Sequence, residues 1–169
     1  MEQPIIFSAE KRPFATFPVA VQAIIINDQE QLLLLSSAQR GRAGVWQIVS
    51  GGLEAGETIL DGTLREVAEE VGAAVQVRPL GLAHAQSFHY DTAVHHMLGT
   101  YYVLAYESGD IVPGDDMIGS EWRWWSLAEL ADVPLHASTH LWMLQRAVQL
   151  YRLWKDEGER PLQPFLGDR

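Results

Sequence analysis

Residues 51–73 read GGLEAGETILDGTLREVAEEVGA. Leu60, Leu64, Val67 and Val71 recur at i, i+4, i+7 and i+11, one apolar stripe at helical period. Thr58 with Asp61 resembles a capping box, and Gly72 stands where a helix end takes a left-handed residue. The spacing predicts a helix over residues 57–71, in which Gly62 costs about 1 kcal/mol against alanine. Upstream, Gly51, Gly52 and Gly56 predict a loop that feeds Glu57 into the helix and lets backbone approach a ligand closely.

The face that the stripe leaves free carries Arg65, Glu66, Glu69 and Glu70. Glutamates at i, i+3 and i+4 project from one side within one turn. Like charges about 4 Å apart repel by roughly 1 kcal/mol in water and by more at a partly buried site. A divalent cation reverses that sign, and hard carboxylate oxygens suit Mg²⁺ or Mn²⁺. Without the glycine-rich loop such a face would read as solvated charge.

Outside this stretch the composition sets limits. With 169 residues and 47% hydrophobic content, the chain can bury one good core. Lys and Arg number 12 against 22 Asp and Glu, a net charge of −10, so no nucleic-acid partner is expected. An anionic substrate would need something other than net charge to attract it, and a bound cation would serve. The absence of cysteine removes disulfides, thiolate zinc sites and a cysteine nucleophile, and fits a reducing cytoplasm. The longest apolar runs, AIII and LLLL, are strand-sized, far short of the ~20 residues of a membrane span. The N-terminus has no secretory character. A cytoplasmic protein without a membrane partner is expected.

Along the chain, residues 1–16 read as an extension in which Pro4 and Pro13 discourage a helix. VAVQAIIIN (19–27) and LLLL (32–35) predict a hairpin around NDQEQ, and VWQIV (45–49) a short strand. Two long strands are expected on either side of DTA (91–93), followed by an acidic loop, GDIVPGDDMIGS. EWRWWSL predicts a strand, LAELADV a short helix, and residues 137–155 a final helix. Strands and helices mix without regular alternation, which suggests one α/β domain over residues 17–155 with a mixed sheet, then a polar tail from 156 to 169.

Taken whole, residues 51–73 resemble the Nudix box, G-x5-E-x7-R-E-U-x-E-E-x-G-U, where U is a bulky aliphatic residue. Gly51, Glu57, Arg65, Glu66, Val67, Glu69, Glu70 and Gly72 match in spacing and type; only Ala73 is weak. The resemblance implies an α/β/α sandwich with a mixed β-sheet, and hydrolysis of a nucleoside diphosphate linked to another moiety. It implies that Glu66, Glu69 and Glu70 bind the metal with the Gly51 carbonyl, and that Arg65 and Glu57 pair to brace the loop. An Arg–carboxylate fork suits that task geometrically. The general base would be Glu66 or one of Asp115, Asp116 and Glu121.

More loosely, the resemblance extends over residues 17–135. The usual W-x-x-P-G-G before the box is WQIVSG here, with Val49 and Ser50 replacing Pro and Gly. A similar version occurs in the branch acting on dATP and dihydroneopterin triphosphate, so a nucleoside triphosphate cleaved to monophosphate and pyrophosphate is expected. A rival is a dinucleoside polyphosphate hydrolase, since such enzymes often carry a tyrosine where Tyr90 stands. The proline of ADP-ribose enzymes is absent, with His89 in its place. A catalytically silent nucleotide-binding regulator would lack box acids, and all are present. An isopentenyl diphosphate isomerase shares the fold but relies on a cysteine. A homodimer is compatible with the family.

Substrate contacts are expected from Arg40 and Arg42 to phosphate, from Trp46 by stacking, and from Tyr90 or His89 to a base. His84, His89, His95 and His96 lack zinc-ligand spacing and read as polar hairpin positions. Trp122, Trp124 and Trp125 read as strand-face residues.

Overall fold

β-Branched residues suit a buried pleated strand, and the run VAVQAIII (19–26) forms the strand around which the domain is built. The computed structural model of the chain describes residues 5–38, 41 and 43–157, with Asp116 described by its backbone only. Ahead of the central strand, Ile5–Phe7 (β1) and Pro13–Ala15 (β2) form a small antiparallel hairpin within the expected extension. Its side chains Ile5, Ile6, Phe7 and Phe14 are exposed.

Val19–Ile26 (β3) turns into Leu32–Ser36 (β4), with Ile26 opposite Leu32. Asn27 organises the turn, its Oδ1 accepting from the backbone N–H groups of Gln29 and Gln31. There follow Val49–Gly52 (β5), Ile59–Glu70 (α1), Gln76–Phe88 (β6), Met97–Ser108 (β7), Glu121–Trp125 (β8) and Leu141–Trp154 (α2). The sheet runs β6-β7-β3-β4-β8, and β5 pairs antiparallel with the first half of β3. β3 and β7 are parallel while the other pairs are antiparallel, so the sheet is mixed, as expected.

Successive side chains of a strand point to opposite faces, and this alternation builds two cores. Ala23 and Ile25 join Leu33, Leu35, Val49 and Leu104 beneath Val67 and Val71 of α1. Ile24 and Ile26 join Leu34, Tyr101 and Val103 beneath Leu144, Ala147 and Val148 of α2. Each fully buried aliphatic side chain contributes about 1.5–3 kcal/mol, so both helices are held chiefly by these faces. The result is the expected α/β/α sandwich.

Boundaries differ from expectation in five places. Residues 45–49 are not one strand: Trp46 and Gln47 make isolated bridges to Leu135 and Leu35, and the strand begins at Val49. Gly51 and Gly52 therefore lie within β5 rather than in a loop, because pairing with Val21 and Ala20 outweighs glycine's poor strand propensity. The connection between β6 and β7 spans residues 89–96, wider than DTA, and Asp91 Oδ1 ties it by accepting from the Ala93 and Val94 N–H groups. The final helix starts at Leu141, not 137, because the buried Thr139 hydroxyl accepts from Ile48 N–H and holds that segment to the sheet. The short helix after β8 is a single 3-10 turn, Glu129–Asp132.

Candidate active site

α1 begins where the sequence places a cap: Thr58 Oγ1 accepts from Asp61 N–H at 3.1 Å and donates to the Asp61 carboxylate at 2.7 Å. The helix lies across β3 and β5, which sets the box acids over the strand that precedes them. Arg65 is the hub of the arrangement. Its Nε donates to Glu57 Oε1 at 2.8 Å and its Nη2 to the Gly52 carbonyl at 2.8 Å. Its Nη1 donates to Glu66 Oε1 at 2.7 Å and to Glu69 Oε2 at 3.0 Å. One planar cation thus ties the loop, the strand end and two helix acids together, as only a forked guanidinium can.

Charge follows geometry. Arg65 beside Glu57, helped by the Glu54 N–H at 3.0 Å, holds the Glu57 carboxyl below its ordinary value. Glu57 in turn pushes the Arg65 guanidinium up, so it stays charged at any working pH.

The three acids do not stand alike. Glu70 is 2% exposed and accepts from Ser50 N–H at 3.1 Å, whereas the Glu69 side chain is 41% exposed. Glu66 lies over Gly51 so closely that a Cβ on residue 51 would occupy the place of its carboxylate. Among the described residues no three acids or imidazoles converge into a ready cage for an ion, because Arg65 draws Glu66 and Glu69 toward itself. The donor chemistry still fits a hard divalent cation: carboxylate oxygens set against a glycine that leaves the backbone bare.

Beyond α1, Gly72 has φ +124°, and a side chain there would press on the backbone of Val112. That glycine lets the 109–114 segment lie on the helix end, where Val112 N–H donates to the Val71 carbonyl at 2.8 Å. Glu69 and Asp115 consequently line one open cleft, together with Asp110. Glu121 opens β8 at the sheet edge opposite Ser36, two strands from β3, and is exposed. The Asp116 side chain, Arg40 and Arg42 lie outside the described residues. Trp46 packs edge-on against Trp125 at 4.9 Å, so its ring is committed to the core. Tyr90 is 61% exposed in the β6–β7 connection. Sequence reasoning missed the Ser50 amide and the Gly52 carbonyl, since backbone groups leave no mark in a residue pattern.

Comparison with known proteins agrees with this fold. The family model described as NUDIX domain matches residues 16–146. The NAD-capped RNA hydrolase NudC of Pseudomonas aeruginosa is 30% identical over 141 residues, 83% of this chain and 47% of that protein. The chain thus spans about half the length of that curated relative. Among solved structures, an ADP-ribose pyrophosphatase from Streptococcus suis aligns with TM-score 0.65 at 18% identity, covering 81% of this chain and 93% of the other. A structure described as a "possible asymmetric diadenosine tetraphosphate" hydrolase of Jonesia denitrificans aligns with TM-score 0.64 at 18% identity, covering 80% and 94%. The chain belongs to the Nudix hydrolase family. No helix among the described residues is long and apolar enough to cross a membrane.

Proposed function

We propose that this chain hydrolyses a phosphoric anhydride bond in a nucleoside diphosphate-linked substrate, with a divalent cation, Mg²⁺ or Mn²⁺, as cofactor. The observation that carries this reading is the Glu66 carboxylate seated over Gly51 while Arg65 ties Glu57 to the strand end. Glu66, Glu69, Glu70 and the Gly51 carbonyl would hold the cation. When bound, it screens phosphate charge, lowers the pKa of an attacking water and stabilises the leaving oxygen. Arg65 keeps the box loop fixed, and the Ser50 N–H orients Glu70. Asp115, which lines the cleft of Glu69, would take the proton of the water at its carboxylate, Glu66 being the other described candidate beside the reaction.

The finer reading is a nucleoside triphosphate cleaved between its α and β phosphates, supported by Val49 and Ser50 in place of Pro-Gly. A second reading, a dinucleotide with an internal pyrophosphate, is favoured by the likeness to a NAD-capped RNA hydrolase over 83% of the chain. A panel of dNTPs, NTPs, ADP-ribose, diadenosine tetraphosphate and NAD-capped RNA, followed by phosphate or pyrophosphate release, separates them. A tenfold kcat/KM advantage, about 1.4 kcal/mol of transition-state preference, would decide between classes. No turnover of any member with Mg²⁺ or Mn²⁺ leaves only a binding role.

A further inference from the structure

β3 contains one polar residue in the run VAVQAIII, and that residue, Gln22, is 3% exposed. Its Oε1 is buried and has no hydrogen-bond partner. A buried acceptor left unpaired weakens a fold, and such groups are rare enough in native structures to need a reason. Nothing in the framework supplies one. Ile24 and Ile26, on the same face of the same strand, are ordinary core residues beneath α2.

The surroundings suggest the reason. Gln22 is opposite Tyr101 on one side and Ser50 on the other. Its amide lies beside Gly99, where a side chain would press on Gln22, Phe88 and Tyr101 together. Nearby Gln86 is engaged at both ends, donating to Tyr101 Oη at 3.3 Å and meeting His84 Nε2 at 3.4 Å. His84 leads outward to Trp142, edge-on at 5.0 Å and 46% exposed. One unpaired amide oxygen thus stands among aromatic side chains that lead outward to the surface at Trp142. It also adjoins the reaction: Ser50, whose amide orients Glu70, is the residue paired with Gln22.

We infer that Gln22 determines substrate specificity, its buried amide oxygen accepting a hydrogen bond from a ring amino group of the substrate's base. This rests on the nucleotide reading above. A site built around such an acceptor rejects an analogue without the amino group, because binding that analogue leaves the amide unpaired.

Three nucleotide pairs test it with the full chain: ATP against purine riboside triphosphate, GTP against ITP, and CTP against UTP. The wild type should prefer the amino-bearing member of at least one pair by roughly tenfold in kcat/KM. Gln22→Met replaces the amide by an apolar group of similar shape, so that ratio should fall toward one, through KM. The Tm of the variant should stay level or rise, since the unpaired acceptor is gone. In the wild type, the Gln22 side-chain amide resonance should shift with the preferred nucleotide and not with its counterpart, a readout independent of any variant. Turnover of nucleotides with a ratio unchanged in Gln22→Met, and no resonance shift, overturns the inference and makes the amide structural. Failure of all six nucleotides to bind or react overturns the nucleoside triphosphate reading and this inference with it, and leaves the dinucleotide reading to the wider panel.

Discussion

A Cβ on Gly51 would collide with every atom of the Glu66 carboxylate, although 15 residues separate the two in the chain. Gly51→Ala should therefore displace Glu66 rather than disturb the core. A shift of about 1 Å in a reacting group costs up to about a hundredfold. We expect kcat/KM to drop by that order with the Tm little changed. A Gly51→Ala enzyme of normal activity would show that Glu66 does not work from this position.

The same separation of chemistry from folding applies along α1. Glu69→Gln and Glu70→Gln keep shape and, for residue 70, an acceptor for the Ser50 N–H. Losing one carboxylate charge forfeits several kcal/mol of transition-state stabilisation, more than about a hundredfold at 1.36 kcal/mol per decade. Val67→Ala, at a position 2% exposed, should instead cost about 2 kcal/mol of stability and leave kcat nearly intact. Denaturant melts and single-turnover rates on the three variants distinguish the two behaviours; near-wild-type turnover in the Glu→Gln pair removes the acids from the mechanism.

Acid should reach the box brace before it reaches the core. Arg65 and the Glu54 N–H hold Glu57 below its ordinary value of 4.5. A depressed folded-state value means that the ionised group stabilises the fold above 4.5, and that this contribution disappears as pH falls through the lowered value. Glu57→Gln has no such group to lose. The Tm gap between wild type and Glu57→Gln should be widest near neutrality and shrink as pH falls below 4.5. A gap that stays constant from neutrality down to the onset of acid unfolding contradicts the assignment.

Removing divalent cations should abolish hydrolysis, with Mg²⁺ or Mn²⁺ restoring it. A cation that binds only the folded site should also raise stability by mass action, about 2.7 kcal/mol at a hundredfold excess over its Kd. Calorimetry with and without EDTA reads this directly. Full activity after exhaustive chelation excludes a metal-assisted reaction.

Much of α1 was legible in the sequence because helical period, cap and box are all local patterns. Pairing across distance was not. The alternation VAVQAIII identifies a strand but not which helix covers which face, so the burial of Gln22 is invisible there. Glu70 reads as one of three equivalent acids until β5 brings Ser50 N–H against it. The cost of Gly62 is explained only by the fold: a Cβ there would sit 2.8 Å from Leu53 Cδ1 and 3.0 Å from Glu57 Oε2, so the glycine lets the loop cross the helix. Leu64, in line with Val67 on the stripe, is only partly buried, and Val67 and Val71 carry the contact with the sheet. Arg40 and Arg42 remain phosphate candidates on sequence grounds.

The four residues of β5 have a consequence for how such a protein can diversify. Val49 and Gly51 look toward α1 and the acids, while Ser50 looks the other way, toward Gln22. A pleat alternates faces without exception over so short a strand. Gly51 thus shares the face of the acids, whereas Ser50 and Gln22 share the face of α2, where Ile24 and Ile26 are held by the core. The single crossing point is the Ser50 amide, which any residue but proline can provide. Selectivity can thus drift at positions 22 and 50 while the hydrolytic machinery one residue away stays fixed.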